Sequence, residues 1–160
     1  MAKTKAGRLA ILCVAGLVTA FIASSNAGNG QLEKKPCCIA GDYSGSFKFA
    51  ASATCFHPES DTFTMQIVQG EKCDSAVSAT AVRPHDPVPL ELTGTVAPNT
   101  SKRCCDLNLH SSNEHEAIDV KICLTRNLMG KWSGKGTVVQ KKVHDNKKET
   151  CSGEIEITQK

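Results

Sequence analysis

From Tyr43 to Ile157, apolar residues recur at every second position in short runs separated by polar turns. Phe47 and Phe49 share one face, with Ala51 and Ala53 continuing it. Phe63, Met65 and Ile67 alternate with Thr64 and Gln66, and Val77, Ala79 and Ala81 alternate with Ser78 and Thr80. Leu90, Leu92, Gly94 and Val96 follow, then Leu107 and Leu109. Ile118, Val120, Ile122 and Leu124 form the cleanest stripe, with Asp119 and Lys121 between them. Trp132, Gly134, Gly136 and Val138 come next, and Ile155 and Ile157 close the series. A period of two marks strands with one buried and one wet face. The pattern predicts eight strands and no helix of useful length.

The connections are short, so consecutive strands should pair antiparallel. Residues that pair must point to the same side of the sheet, which makes the register testable on paper. Leu109 can face Ile118, Leu107 can face Val120, and Cys105 can face Ile122. Leu124 can face Trp132, Ile122 can face Gly134, Trp132 can face Ile157, and Gly134 can face Ile155. In the first hairpin Phe49 can face Ile67, and Ala51 can face Met65. One dry face thus persists through the whole meander. An all-β, eight-stranded antiparallel up-and-down barrel satisfies this pattern by closing both edges. A two-sheet β-sandwich is the alternative.

Two glycine–aromatic openings add to the picture. Gly41-Asp42-Tyr43-Ser44-Gly45 begins the first strand, and Gly130-Lys131-Trp132-Ser133-Gly134 begins the seventh; Leu92-Thr93-Gly94-Thr95-Val96 lies between. These phrases on an eight-stranded meander resemble the calycins, the lipocalin-like and avidin-like barrels, over about residues 40–158. The resemblance implies a small ligand bound inside the barrel. Tyr43 stands where lipocalins carry Trp, and the later lipocalin motifs have no counterpart. Read from physics alone, the glycines permit bends at barrel corners while the aromatics plug one end.

The first 27 residues differ in kind. Lys3, Lys5 and Arg8 precede an apolar run from Leu9 to Ile22, and Ser25-Asn26-Ala27 supplies small residues for cleavage. This reads as a secretory signal peptide cleaved near Ala27, with export to the periplasm or beyond. The apolar run is short for a membrane span. Residues 28–36 form a polar, Gly-containing N-terminal arm, and residues 37–160 one barrel domain. The formal charge of +3 belongs to the leader, because the remaining Lys and Arg balance the Asp and Glu. That balance argues against a nucleic-acid partner recruited by net positive charge.

Of the nine Cys, Cys13 falls in the leader. The others are Cys37, Cys38, Cys55, Cys73, Cys104, Cys105, Cys123 and Cys151, an even set that reads as disulfides in an exported chain. Cys55 follows the first strand and Cys151 precedes the last; both have inward parity, and in a closed barrel those strands are neighbours. Cys55–Cys151 should therefore latch the closure. Cys104 and Cys123 can face each other on the outer surface. Cys37 and Cys38 should each bond one of Cys73 and Cys105 at the opposite, closed end. A thiolate metal site is the rival, but Cys37-Cys38 lacks zinc-knuckle spacing.

All five His fall at the end where odd-numbered strands finish: His57, His85, His110, His115 and His144. Imidazoles gathered at a barrel mouth could hold Zn or Cu, with His110 and His115 the nearest pair. The plainer reading is that polar residues collect in loops. Inside, the alternating positions offer apolar walls and no charge. Phe47, Phe49, Phe63, Met65, Leu92, Leu107, Val120 and Ile155 are the candidate ligand-binding residues. Gly136 should face Gly153, so the small residues either pinch the barrel or leave a dry pocket. No nucleophile elbow, phosphate loop or dinucleotide fingerprint is present, so no enzyme is expected. The functional expectation is an exported barrel that binds a small apolar ligand, with no cofactor required. The alternative is a protein-binding module, such as a secreted inhibitor working through the arm.

Overall fold

The computed structural model describes residues 35–144 and 147–160, without the side chains of Pro87 and His144. The expected leader and most of the arm, residues 1–34, lie outside the described residues. Eight strands follow in order: β1 (Gly41–Phe49), β2 (Ser60–Gln69), β3 (Ala76–Arg83), β4 (Asp86–Asn99), β5 (Cys104–Ser112), β6 (Glu116–Arg126), β7 (Trp132–His144) and β8 (Lys147–Gln159). Each pairs antiparallel with the next, and β8 returns to β1 from Tyr43↔Gln159 to Phe49↔Gly153. The sheet is a closed barrel, as expected, and its architecture is calycin-like; the two-sheet sandwich is set aside. Closure leaves no row of unpaired amides at an edge.

The alternating pattern lands as read. Tyr43, Phe63, Met65, Ile67, Val77, Ala79, Leu92, Val96, Leu107, Leu109, Val120, Ile122, Leu124, Val138, Ile155 and Ile157 are buried inside. Ala51 and Ala53 do not extend this face; they are exposed in the loop after β1.

The register differs from the expected pairing in β1–β2, β5–β6, β6–β7 and β7–β8. Leu107 pairs with Ile122, Ile122 with Gly136, and Gly134 with Ile157, so β5–β6, β6–β7 and β7–β8 are each slipped by two residues. In β1–β2 the step is larger, with Gly41 opposite Ile67 and Tyr43 opposite Met65. Every slip is even, so each residue keeps its face; alternation fixes the face but not the step. The turns fix the step. Asn113 Oδ1 accepts the backbone N–H of His115 at 2.9 Å and of Glu116 at 2.8 Å, which holds the β5–β6 turn. Asn127 Oδ1 accepts the N–H of Lys131, and Gly130 supplies a φ of 82°, at the β6–β7 turn.

Two expected facings change in consequence. Gly136 lies opposite Ile155, and Gly153 opposite Val138 and Phe49, so the two glycines do not meet. Gly136 instead lets β7 cross close over β6, where a Cβ would run into the Lys121 carbonyl oxygen. Gly45 leaves room for the Phe63 ring.

Residues 37–40 cross the end where β1 begins and seal it. Ile39 is fully buried, and its N–H donates to Gln69 Oε1 at 2.9 Å. Gln69 Nε2 in turn donates to the carbonyls of Cys37 and Asp74. Trp132 Nε1 donates to the Cys38 carbonyl at 2.7 Å, and the Tyr43 hydroxyl to the Ile39 carbonyl at 2.6 Å. The two aromatics of the glycine–aromatic openings thus plug this end, as their physics suggested. Arg126 lies over the Trp132 ring, 5.9 Å from its centroid.

Four disulfides brace the barrel. Cys55–Cys151 joins the loop after β1 to β8, and Cys104–Cys123 joins β5 to β6, both as expected. The last bridge is diagonal, because Asp106 is the residue opposite Cys123. Cys37 bonds Cys105 and Cys38 bonds Cys73, which resolves the pairing left open by the sequence. Bridges of this number suit a chain that folds in an oxidising environment. No helix among the described residues is long and apolar enough to cross a membrane.

Candidate functional site: a cavity at the open end

The end opposite the plug is open, and a cavity of about 240 Å³ runs down from it into the barrel. Of the candidate ligand-binding residues, Phe47, Phe49, Phe63, Met65, Leu92, Val120 and Ile155 line it. Leu107 does not: it is fully buried one step nearer the plug than Leu109, which does line the wall. Phe47 stands at the centre of an aromatic group, its ring 5.2 Å from Phe49 and 6.4 Å from Phe63 between centroids. Small side chains such as Ala81 leave the space that these rings do not fill.

The expectation of an uncharged interior fails at the rim. Arg83, Asp86, Asn113, Glu116 and Gln140 also line the cavity. Their placement follows the same alternation, continued one step past the apolar residues. Glu116 precedes Ile118 by two, Gln140 follows Val138 by two, and Arg83 follows Ala81 by two. Extending the period into polar residues at the strand ends would have found this collar. The β3–β4 ladder shifts between Ala81 and Arg83, where Pro87 and Pro89 lack the amide donors a regular ladder needs.

The collar is internally bonded. Arg83 Nη1 donates to Glu59 Oε1 at 3.0 Å, and Nη2 to Asp86 Oδ2 at 2.5 Å. The Arg83 hydrogen bond, with help from the Val88 backbone N–H, holds the Asp86 carboxyl below the usual carboxylate range. Across the mouth, the amide of Gln140, a buried polar side chain, donates to Glu116 Oε1, and Lys142 Nζ lies 3.7 Å from the same oxygen. Among the described residues no buried side-chain N or O atom is left without a partner.

The five His lie at the open end by topology, but no three of those with described side chains converge. His57 is exposed, with Nδ1 3.4 Å from Glu149 Oε2, and His110 Nδ1 lies 2.8 Å from Asp119 Oδ1. His110 faces Asp119 across the ladder, not His115, whose carbonyl instead accepts the Val143 N–H. His85 is an exposed turn residue, and the His144 side chain lies outside the described set. Among the described residues, no group of three ligating atoms within 4.8 Å includes a histidine. The two groups that do form, Cys55–Glu149–Cys151 and Cys104–Asp106–Cys123, use cysteines already joined as disulfides.

Glu149 has a structural task. Its Oε1 accepts the backbone N–H of Phe56 at 2.7 Å and of His57 at 2.8 Å, which pins the first mouth loop to β8 beside the Cys55–Cys151 bridge. The His57 N–H bond is the main reason its carboxyl is held below the usual range.

Compared with known proteins, the chain matches no family model, no curated protein and no solved structure.

Proposed function

We propose that this protein is an exported carrier that binds one small, mainly apolar ligand inside its barrel. The observation that carries this reading is the asymmetry of the two ends. One end is sealed by residues 37–40, Tyr43 and two disulfides, while the other opens on a cavity walled by Phe47, Phe49, Phe63 and aliphatic side chains. A barrel filled for stability alone has no need of such a space; in eight-stranded barrels it is either packed or holds one small ligand. Burial supplies affinity at about 25 cal/mol per Å² of apolar surface. Export is supported by the basic and apolar leader in the sequence and by four disulfides in the fold. No catalytic role is assigned.

The reading is tested with N-phenyl-1-naphthylamine, a neutral probe that fluoresces in apolar sites. It should bind the native protein at one site, and Ala81→Phe, which fills the cavity without touching the disulfides, should weaken it by about tenfold or more. Native mass spectrometry of protein recovered from its own host should show a retained small mass that Ala81→Phe abolishes. Probe binding unchanged in Ala81→Phe would overturn the reading.

A further inference from the structure

The cavity has a polar rim as well as an apolar wall. Resting on the ligand-binding reading above, we infer that the ligand is a cationic amphiphile: an ammonium group on a short alkyl or aryl body. The body lies among Phe47, Phe49 and Phe63, and the ammonium meets Glu116 at the rim.

The collar groups differ in how far they are already engaged. Arg83 is the natural candidate for an anionic head, but each of its terminal nitrogens already donates to a carboxylate, one to Glu59 and one to Asp86. Those two carboxylates offset its charge, so an anionic head would meet an arginine that is already neutralised. Glu116 differs. Its Oε1 receives Gln140 and faces Lys142, while its Oε2 has no protein partner among the described residues, and the side chain lines the cavity. A donor on the ligand would find an acceptor there.

Among the charged residues that line the cavity and their ion-pair partners, three carboxylates, Glu59, Asp86 and Glu116, stand against two cations, Arg83 and Lys142. The excess within this collar is negative, at the edge of an apolar cavity. A carboxylate head would add to that excess; an ammonium would neutralise it. The wall takes the rest of the ligand: Phe47, Phe49 and Phe63 are the aromatic residues lining the cavity, and they offer the alkyl or aryl body an apolar surface.

The test is competition against N-phenyl-1-naphthylamine at pH 7.5 with three ligands of matched length: octylamine, octanol and octanoate. Octylamine should displace the probe at a concentration about tenfold below octanoate, with octanol between them. Glu116→Gln should cut octylamine affinity by about tenfold and leave octanol within about twofold, while Glu116→Asp should keep the order amine, alcohol, acid. Octanoate binding as well as or better than octylamine would overturn the inference, as would a Glu116→Gln protein that retains the full preference. In both cases a bound probe leaves the ligand-binding reading standing. A probe that fails to bind, or that binds regardless of Ala81→Phe, removes that reading and this one with it.

Discussion

The hydroxyl of Tyr43 donates to the carbonyl of Ile39 at 2.6 Å, and both side chains are fully buried. One residue belongs to the first strand and the other to the segment that crosses beneath it, so this bond ties the plug to the barrel wall. Tyr43→Phe leaves the Ile39 carbonyl without its partner in a dry site. The expected loss is about 1–3 kcal/mol of unfolding free energy, measured by urea denaturation.

Burial also pushes the Tyr43 phenol upward. In the unfolded chain it ionises near pH 10, whereas the folded protein keeps its proton. Above about pH 10 the unfolded state therefore binds fewer protons than the native one, and stability falls as pH rises. Tyr43 is the single tyrosine in the chain, so phenolate absorbance reports it directly. It should titrate near pH 10 in urea and above that in native buffer. Matching titrations would remove the buried bond from the account.

At acid pH the mouth should loosen before the plug. Glu149 has a depressed carboxyl because it accepts two loop N–H bonds. Its contribution is fully present above the unfolded glutamate value, near pH 4.3, and is lost as pH falls through the lower folded value. Amide exchange at Phe56 and His57, corrected for intrinsic rates, should accelerate over that window while Ile39 stays protected. Glu149→Gln should remove the pH dependence.

Cys55–Cys151 spans a sequence separation of 96 residues and joins the two ends of the barrel sequence. Replacing both with Ser should lower stability by about 2–4 kcal/mol without changing probe binding in the residual folded fraction. Non-reducing peptide maps of the native chain should contain the Cys55–Cys151 peptide and no free thiol from Cys37 onward. Recovery of a Cys55–Cys73 peptide would contradict the seam.

Gly136→Val tests the close crossing of β7 over β6. Any Cβ at Gly136 meets the Lys121 carbonyl and the Ile122 Cα, both backbone, so no rotamer change relieves it. The expected cost is above the usual 1–3 kcal/mol of overpacking, with soluble yield and Tm as the readouts. A variant as stable as the native protein would mean that the strands are not so closely apposed.

The fold was legible in the sequence where alternation speaks and silent where it does not. Period two placed Phe63, Met65, Leu92 and Val120 on the inner face correctly, because one misassigned step would have turned every apolar side chain outward. It could not distinguish Leu107 opposite Val120 from Leu107 opposite Ile122, since both keep the face. That choice belongs to the Asn113 turn, whose side-chain bonds carry no hydrophobic signature. The cavity walls were readable for the same reason as the face. The collar was not, because Arg83, Glu116 and Gln140 continue the inward parity as polar residues, and a hydrophobic period stops at the last apolar side chain. The described histidines, His57, His85, His110 and His115, share an end by topology without converging on one point, since loops at one end of a barrel can point their side chains apart.

The bonding of the adjacent pair Cys37-Cys38 to Cys105 and Cys73 has a consequence for how the molecule survives damage. Those two bridges and the peptide between them close the segment from Cys73 to Cys105, which holds the whole β3–β4 hairpin, into a covalent ring. Cys104–Cys123 and Cys55–Cys151 extend the circuit as far as Cys151. A protease that severs any one peptide bond between Cys38 and Cys151 therefore leaves a single molecule with no fragment free to diffuse away. The cut ends stay near their partners in the ladder, so a nick in an exposed mouth loop costs the barrel a loop and not its wall.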